Sequence, residues 1–102
     1  MMKGKILATL RGEILDFLRM AEMRYVERIT IIEVFYQYWK DRQIIESLEY
    51  LVDRGYVEEK TIEDPLKRFA KKHLYRITSK GIDVLDGTIK DEGIIVPERN
   101  GD

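Results

Sequence analysis

The run "IIESLEYLVDRGYVEEK", residues 44–60, changes its periodicity halfway along. Ile44, Leu48, Leu51 and Val52 keep the spacing of three and four that buries one side of a helix. From Tyr56 to Ile62 the residues instead suit a strand, and Gly55 stands at the change. Glycine takes a left-handed conformation at little cost, which is what the first residue past a helix end needs. The spacing therefore predicts a helix from an Asp41 N-cap to about Arg54, handing over to a strand within one turn.

A second strand is expected over Leu74–Thr78, with Leu74, Arg76 and Thr78 on one face and Tyr75 and Ile77 on the other. Thr78 then caps a short helix over Ser79–Leu85. The strands are joined by "EDPLKRFAKKH", a basic connection that is long for a hairpin. Upstream, Ile6, Leu10, Ile14, Phe17 and Ala21 predict a helix over about Lys3–Met23, widened by Leu7, Leu15, Leu18 and Met20. Gly12 lies inside it and costs about 1 kcal/mol against alanine. "TIIE", residues 30–33, has the form of a capping box, so a second helix is expected from Thr30 to about Tyr38, presenting Ile31, Val34, Phe35 and Tyr38. The β-branched content of "YVERITIIEVFY" makes a strand the alternative.

The chain of 102 residues is sized for one core, expected over residues 1–88, with residues 89–102 lying on the surface or fraying. Hydrophobic residues are 44% and charged residues 36%, a soluble globular balance that, with no cysteine and no long apolar run, points to the cytoplasm and away from a membrane. The apolar face of the first helix exceeds what so small a domain should need. The excess predicts a homodimer with Leu7, Leu18 and Met20 at the seam.

Helix, helix, short turn, helix, strand, basic loop, strand, helix is an order that resembles the winged helix-turn-helix domains. The resemblance rests on "IIESLEYLVDRGYV" and "YRITSKGIDVL", together 25 of the 102 residues. It implies an α+β, mainly helical fold with a three-helix core, a two-stranded wing and a C-terminal helix. Within that superfamily the ending "RITSKGIDVLDGTIKDEGI" looks most like small winged-helix proteins of Mu-like prophages, through Thr78, Gly81, Asp83, Val84 and Gly87. The resemblance further implies a regulator that binds double-stranded DNA. Its third helix would offer Arg42, Gln43, Glu46, Ser47 and Tyr50 to base edges.

The charges support part of that implication and oppose another part. Residues 65–82 hold Lys67, Arg68, Lys71, Lys72, Arg76 and Lys80 with no acid, so the rest of the chain carries 12 bases against 19 acids. Such a basic stretch can contact several phosphates, although charge runs of this kind are also ordinary solvated surface. Residues 41–54, by contrast, hold four acids and two bases, which is repulsive near phosphates. The alternative is therefore a protein-interaction module built on the same scaffold, with the acidic third helix and the aromatics Phe35, Tyr36, Tyr38 and Trp39 facing a protein partner. Of these, Tyr36 and Trp39 are the expected exposed pair, and Phe69 is expected to fold back on the core rather than stack on a partner. His73 is the single histidine and lacks companions for a metal site, and Glu58 and Glu59 alternate across a strand. Neither a phosphate-cradling glycine loop nor a paired nucleophile and base is visible, so the chain reads as no enzyme, with no cofactor.

Overall fold

A computed structural model describes residues 2–98, with side chains described from Ile6 onward. Its elements are α1 (Met2–Met20), β1 (Val26–Glu27), α2 (Arg28–Phe35), α3 (Asp41–Asp53), β2 (Val57–Glu63), β3 (Lys71–Ile77) and α4 (Ser79–Leu85). The three strands form one antiparallel sheet in the order β1-β3-β2. The expected two-stranded wing thus gains a third, two-residue strand, pairing Val26 with Tyr75 and Glu27 with Leu74.

That pairing explains why the expected capping box is not formed. The chain leaves β1 directly into α2, whose N-cap is Glu27, so Thr30 lies inside the helix. Only Val26–Glu27 is strand, and Arg28–Phe35 of that β-branched stretch is helical, as the spacing required. The first helix also stops earlier than expected, because Glu22 and Met23 both take positive φ, 55° and 69°.

The core is made by Leu10, Ile14, Leu15 and Leu18 of α1, Ile31 of α2, Ile44, Leu48 and Leu51 of α3, Tyr75 and Ile77 of β3 and Val84 of α4. Leu18 is fully buried and Leu7 nearly so, which corrects their placement at a dimer seam. What covers the broad face of α1 is the chain's own C-terminal segment. Ile94 joins the core, the Ile95 amide donates to the Ala8 carbonyl at 3.0 Å, and Arg11 Nη1 donates to the Gly93 carbonyl at 3.0 Å. Gly12 is the position that admits this crossing, since a Cβ there would lie 1.8 Å from the Ile95 carbonyl oxygen. The surface or frayed course expected of residues 89–102 is interrupted by the burial of Ile94, and residues 99–102 lie outside the described residues.

The turn after α3 follows the sequence closely. Arg54 is the C-cap, Gly55 has φ +79°, and the amides of Gly55 and Tyr56 donate to Val52 and Leu51 respectively. This is the double closure by which a left-handed glycine satisfies a helix's last carbonyls. Thr78 caps α4 as expected, accepting from the Gly81 amide at 3.1 Å.

Candidate nucleic-acid interface

The hairpin of β2 and β3 divides into a neutralised base and a charged tip. Arg76 Nη2 donates to Glu58 Oε1 at 2.5 Å, and that contact holds the Glu58 carboxyl below its ordinary range while raising Arg76. The same guanidinium sits 4.6 Å over the Tyr25 ring. Lys72 Nζ lies 3.2 Å from Glu27, and Glu59 receives Tyr75 at 3.0 Å, meets His73 Nδ1 at 3.2 Å and faces Arg28 at 3.6 Å. Lys80 rests over the Tyr56 ring, its Nζ 5.6 Å from the centroid. Burial is the main reason the Tyr75 hydroxyl is pushed up to about 12, against the opposing charge of Arg28.

At the tip matters differ. Lys67, Arg68 and Lys71 are exposed and, among the described residues, form no ion pair. Because β3 begins at Lys71, only residues 64–70 remain as the connection. That shortened loop is closed by its own bonds: the Asp64 amide to the Ala70 carbonyl at 3.0 Å, and the Ala70 amide to the Lys67 carbonyl at 3.1 Å. Of the six bases expected to act together, Lys67 and Arg68 are thus carried outward on a formed turn, Lys71 opens β3 beside it, and three are engaged with the domain itself. Phe69 does not fold back on the core. It has a φ of +67° and is 91% exposed, a position its lone place among charges could have suggested.

The surface of α3 is narrower than the spacing implied. Ser47 is fully buried and its Oγ finds no hydrogen-bond partner among the described residues, so it is not on the exposed face. Gln43 Oε1 accepts from the Lys40 amide at 2.9 Å, which makes it the cap of α3, with Lys40 rather than Asp41 as the N-cap residue. Tyr50 donates to Asp91 Oδ1 at 2.9 Å and is flanked by the guanidinium groups of Arg11 and Arg54, 3.8 Å and 4.6 Å from its ring centre. Arg42 and Glu46 alone of the five remain turned outward and unclaimed by the fold, and they bond each other at 3.3 Å.

Asp91 organises the back of α3, and no sequence signal marked it. Its Oδ2 receives Tyr56 at 2.8 Å and lies 3.6 Å from Arg54, and its Oδ1 receives the Gly93 amide at 2.8 Å as well as Tyr50. Burial disfavours the charge on Asp91, but the bonds from Tyr56, Gly93 and Tyr50 with the field of Arg54 outweigh it and hold the carboxyl below its ordinary value. Burial first, then Asp91, pushes Tyr56 up to about 12 and raises Tyr50.

Two tyrosines carry the remaining exposed aromatic surface. They are Tyr36 and Tyr38, the latter 84% exposed, whereas Trp39 packs against the core and corrects the expected pair. Val34 is exposed as well, so α2 buries Ile31 and partly Phe35 but not the whole predicted stripe. Among the described residues no group of histidine and carboxylates could hold a metal ion, and no helix is long and apolar enough to cross a membrane.

No protein-family model matches the chain, and no curated protein matches it. Among solved structures it is similar to PadR of Bacillus subtilis in a crystal structure with operator DNA, at 27% identity and a TM-score of 0.61. The match covers 91% of this chain and 52% of PadR, so the chain spans about half the length of that neighbour. Three helices around one core, a β2–β3 hairpin projecting from it and a fourth helix closing it make this domain a winged helix-turn-helix.

Proposed function

We propose that the domain binds double-stranded DNA through its wing, as part of a transcription regulator. The observation that carries this reading is the trio Lys67, Arg68 and Lys71, cations without an ion partner among the described residues, at the end of a hydrogen-bonded hairpin. Cations already paired would have to give up a carboxylate to meet a phosphate, whereas these three exchange only water and counterions. The likeness to PadR, a protein seen with operator DNA, supports the reading. Base recognition, on this account, falls to Arg42 with Glu46 rather than to the whole predicted set. A guanidinium reads guanine well, but this one must first leave Glu46.

A homodimer fits the reading because regulators of this kind pair their half-sites. Its seam would draw on exposed apolar side chains such as Met20 and Ile29, not on Leu7 and Leu18. The finer prophage resemblance adds little, since Thr78 and Gly81 are explained by the capping of α4 and by its close approach to Tyr56. A protein-interaction module is the second reading, favoured by the exposure of Tyr36 and Tyr38.

The test is a titration of end-labelled duplex at several salt concentrations. Affinity that falls steeply and log-linearly with salt is expected. Absence of salt-sensitive affinity for every duplex at low ionic strength would reject the DNA reading in favour of the protein partner.

A further inference from the structure

The wing tip displays two large apolar side chains where a purely electrostatic contact needs none. Leu66 is 90% and Phe69 is 91% exposed, and they flank Lys67 and Arg68 in sequence. Their display is built into the turn. Asp64 Oδ1 accepts from the Leu66 amide at 2.9 Å, and the two backbone bonds across residues 64–70 hold the loop closed. Phe69 itself takes φ +67°, a conformation that a bulky L-residue rarely adopts. The fold thus keeps an aromatic in water, on a strained backbone, beside cations that form no ion pair among the described residues. Arg68 lies 5.2 Å over that ring, leaving its other face open to a second planar group.

We infer that Phe69, with Leu66, is an apolar wedge that enters the minor groove of the duplex and partly unstacks a base step. The inference rests on the DNA reading above and goes beyond phosphate contact. Cations around the tip select a polyanion as the partner, and phosphates offer nothing to a phenyl ring. The apolar surfaces a duplex presents to a narrow hairpin are the sugar walls of the minor groove and the faces of bases at a step that opens. Wedges of phenylalanine or leucine act at such steps, and pyrimidine–purine steps open most readily. The wing should therefore prefer duplexes with a TA step and bend them, although no hydrogen bond from Phe69 reads a base.

The experiment uses the full chain and two duplexes equal in length, one with central TA steps and one of G·C pairs without pyrimidine–purine steps. Both carry a fluorophore pair at their ends, so that affinity and end-to-end distance are read together. Wild type should bind the TA duplex more tightly and shorten it. Phe69→Ala should lose about tenfold on the TA duplex and little on the other, abolishing the shortening. Its salt slope should remain, because Lys67, Arg68 and Lys71 are intact. Phe69→Leu, still apolar, should retain most of the bend. Both variants should melt no lower than wild type, since the replaced ring is in water. Salt-sensitive binding with no shortening, or with a TA preference that Phe69→Ala leaves intact, overturns the wedge and spares the DNA reading. Failure to bind either duplex overturns both, as does Phe69-dependent binding to anionic vesicles in place of DNA.

Discussion

The Thr78 hydroxyl donates to the Gly55 carbonyl at 2.6 Å while accepting from the Gly81 amide at 3.1 Å. One side chain therefore joins the turn that ends α3 to the first turn of α4. The Thr78 amide adds a bond to the Tyr56 carbonyl at 3.0 Å. Gly81 must be glycine for the same approach, because a Cβ there would lie 2.3 Å from the Tyr56 carbonyl oxygen. The two segments that carry the winged-helix resemblance are thus one structural unit.

Thr78→Val keeps the shape of the side chain and removes both of its hydrogen bonds. A cap is worth about 1 kcal/mol and an ordinary hydrogen bond about as much, so a loss of about 2 kcal/mol is expected in urea unfolding. Thr78→Ser should recover most of it. A valine variant as stable as wild type would mean that the junction adds nothing to the fold.

Leu18→Ala should cost between about 2 and 5 kcal/mol, the range for deleting a fully buried leucine side chain. Leu7→Glu should destabilise as well, because it places a charge at a site only 7% exposed. Met20→Glu, at 65% exposure, should leave the stability of the monomer, measured by melting at low protein concentration, within about 0.5 kcal/mol. Thermal melts of the three variants separate a core role for α1 from a seam role. A stable, monomeric Leu7→Glu protein would restore the seam.

The fold was legible where one residue type has one local use. Gly55 after an amphipathic run and Thr78 before "SKG" each specify a geometry that few other residues provide, and both are found in place. The start of α2 was not legible, because it is set by a contact remote in sequence. Glu27 pairs with Leu74 across the sheet, and that pairing overrides the local signal at Thr30. The site divided in the same way. Its basic stretch could be counted in the sequence, but only the register of β2 on β3 places Arg76 opposite Glu58 and leaves Lys67 and Arg68 beyond the last pair. Asp91 was invisible for the same reason, since its partners Tyr50 and Tyr56 are 41 and 35 residues away.

Gly12→Ala should go against helix propensity. Alanine would favour α1 by about 1 kcal/mol if the helix stood alone. Here the added methyl would meet the Ile95 carbonyl at 1.8 Å, so the C-terminal segment must move off the helix and withdraw Ile94 from the core. The expected outcome is a net loss of stability and faster proteolysis after Lys90. A gain in melting temperature with unchanged proteolysis would show that the segment does not hold α1.

Asp91 and Tyr56 should make stability depend on pH at both extremes. The folded-state pKa of Asp91 lies below its ordinary 3.8, so its contribution is present above that value and is lost as pH falls through the folded pKa. Tyr56 is raised from 10.0 to about 12, so its contribution is present below pH 10 and is lost as pH climbs toward 12. Asp91→Asn should lower stability at neutral pH and flatten the acid limb relative to wild type. It should also flatten the alkaline limb, because one of the causes raising Tyr56 is removed. Denaturant midpoints across the pH range test both limbs, and parallel curves for the two proteins would exclude Asp91 as their source.

The division of the wing into paired and unpaired cations yields the sharpest contrast. Replacing Lys67, Arg68 and Lys71 with glutamine should weaken every duplex and reduce the salt slope by up to about three contacts' worth, at roughly 0.9 per phosphate. Replacing Arg76 and Glu58 together removes one charge of each sign from a pair already closed at 2.5 Å. That double variant should bind as wild type does, with an unchanged slope. Glu46→Gln should act oppositely to the triple variant, because it deletes a negative charge and frees Arg42 from its 3.3 Å contact. Non-specific affinity should rise, most at low salt, where repulsion is least screened. If the Arg76 and Glu58 double variant instead flattens the slope as much as the triple variant, the charge at the base of the hairpin is available to phosphate, and the tip is not the separate contact that its geometry describes.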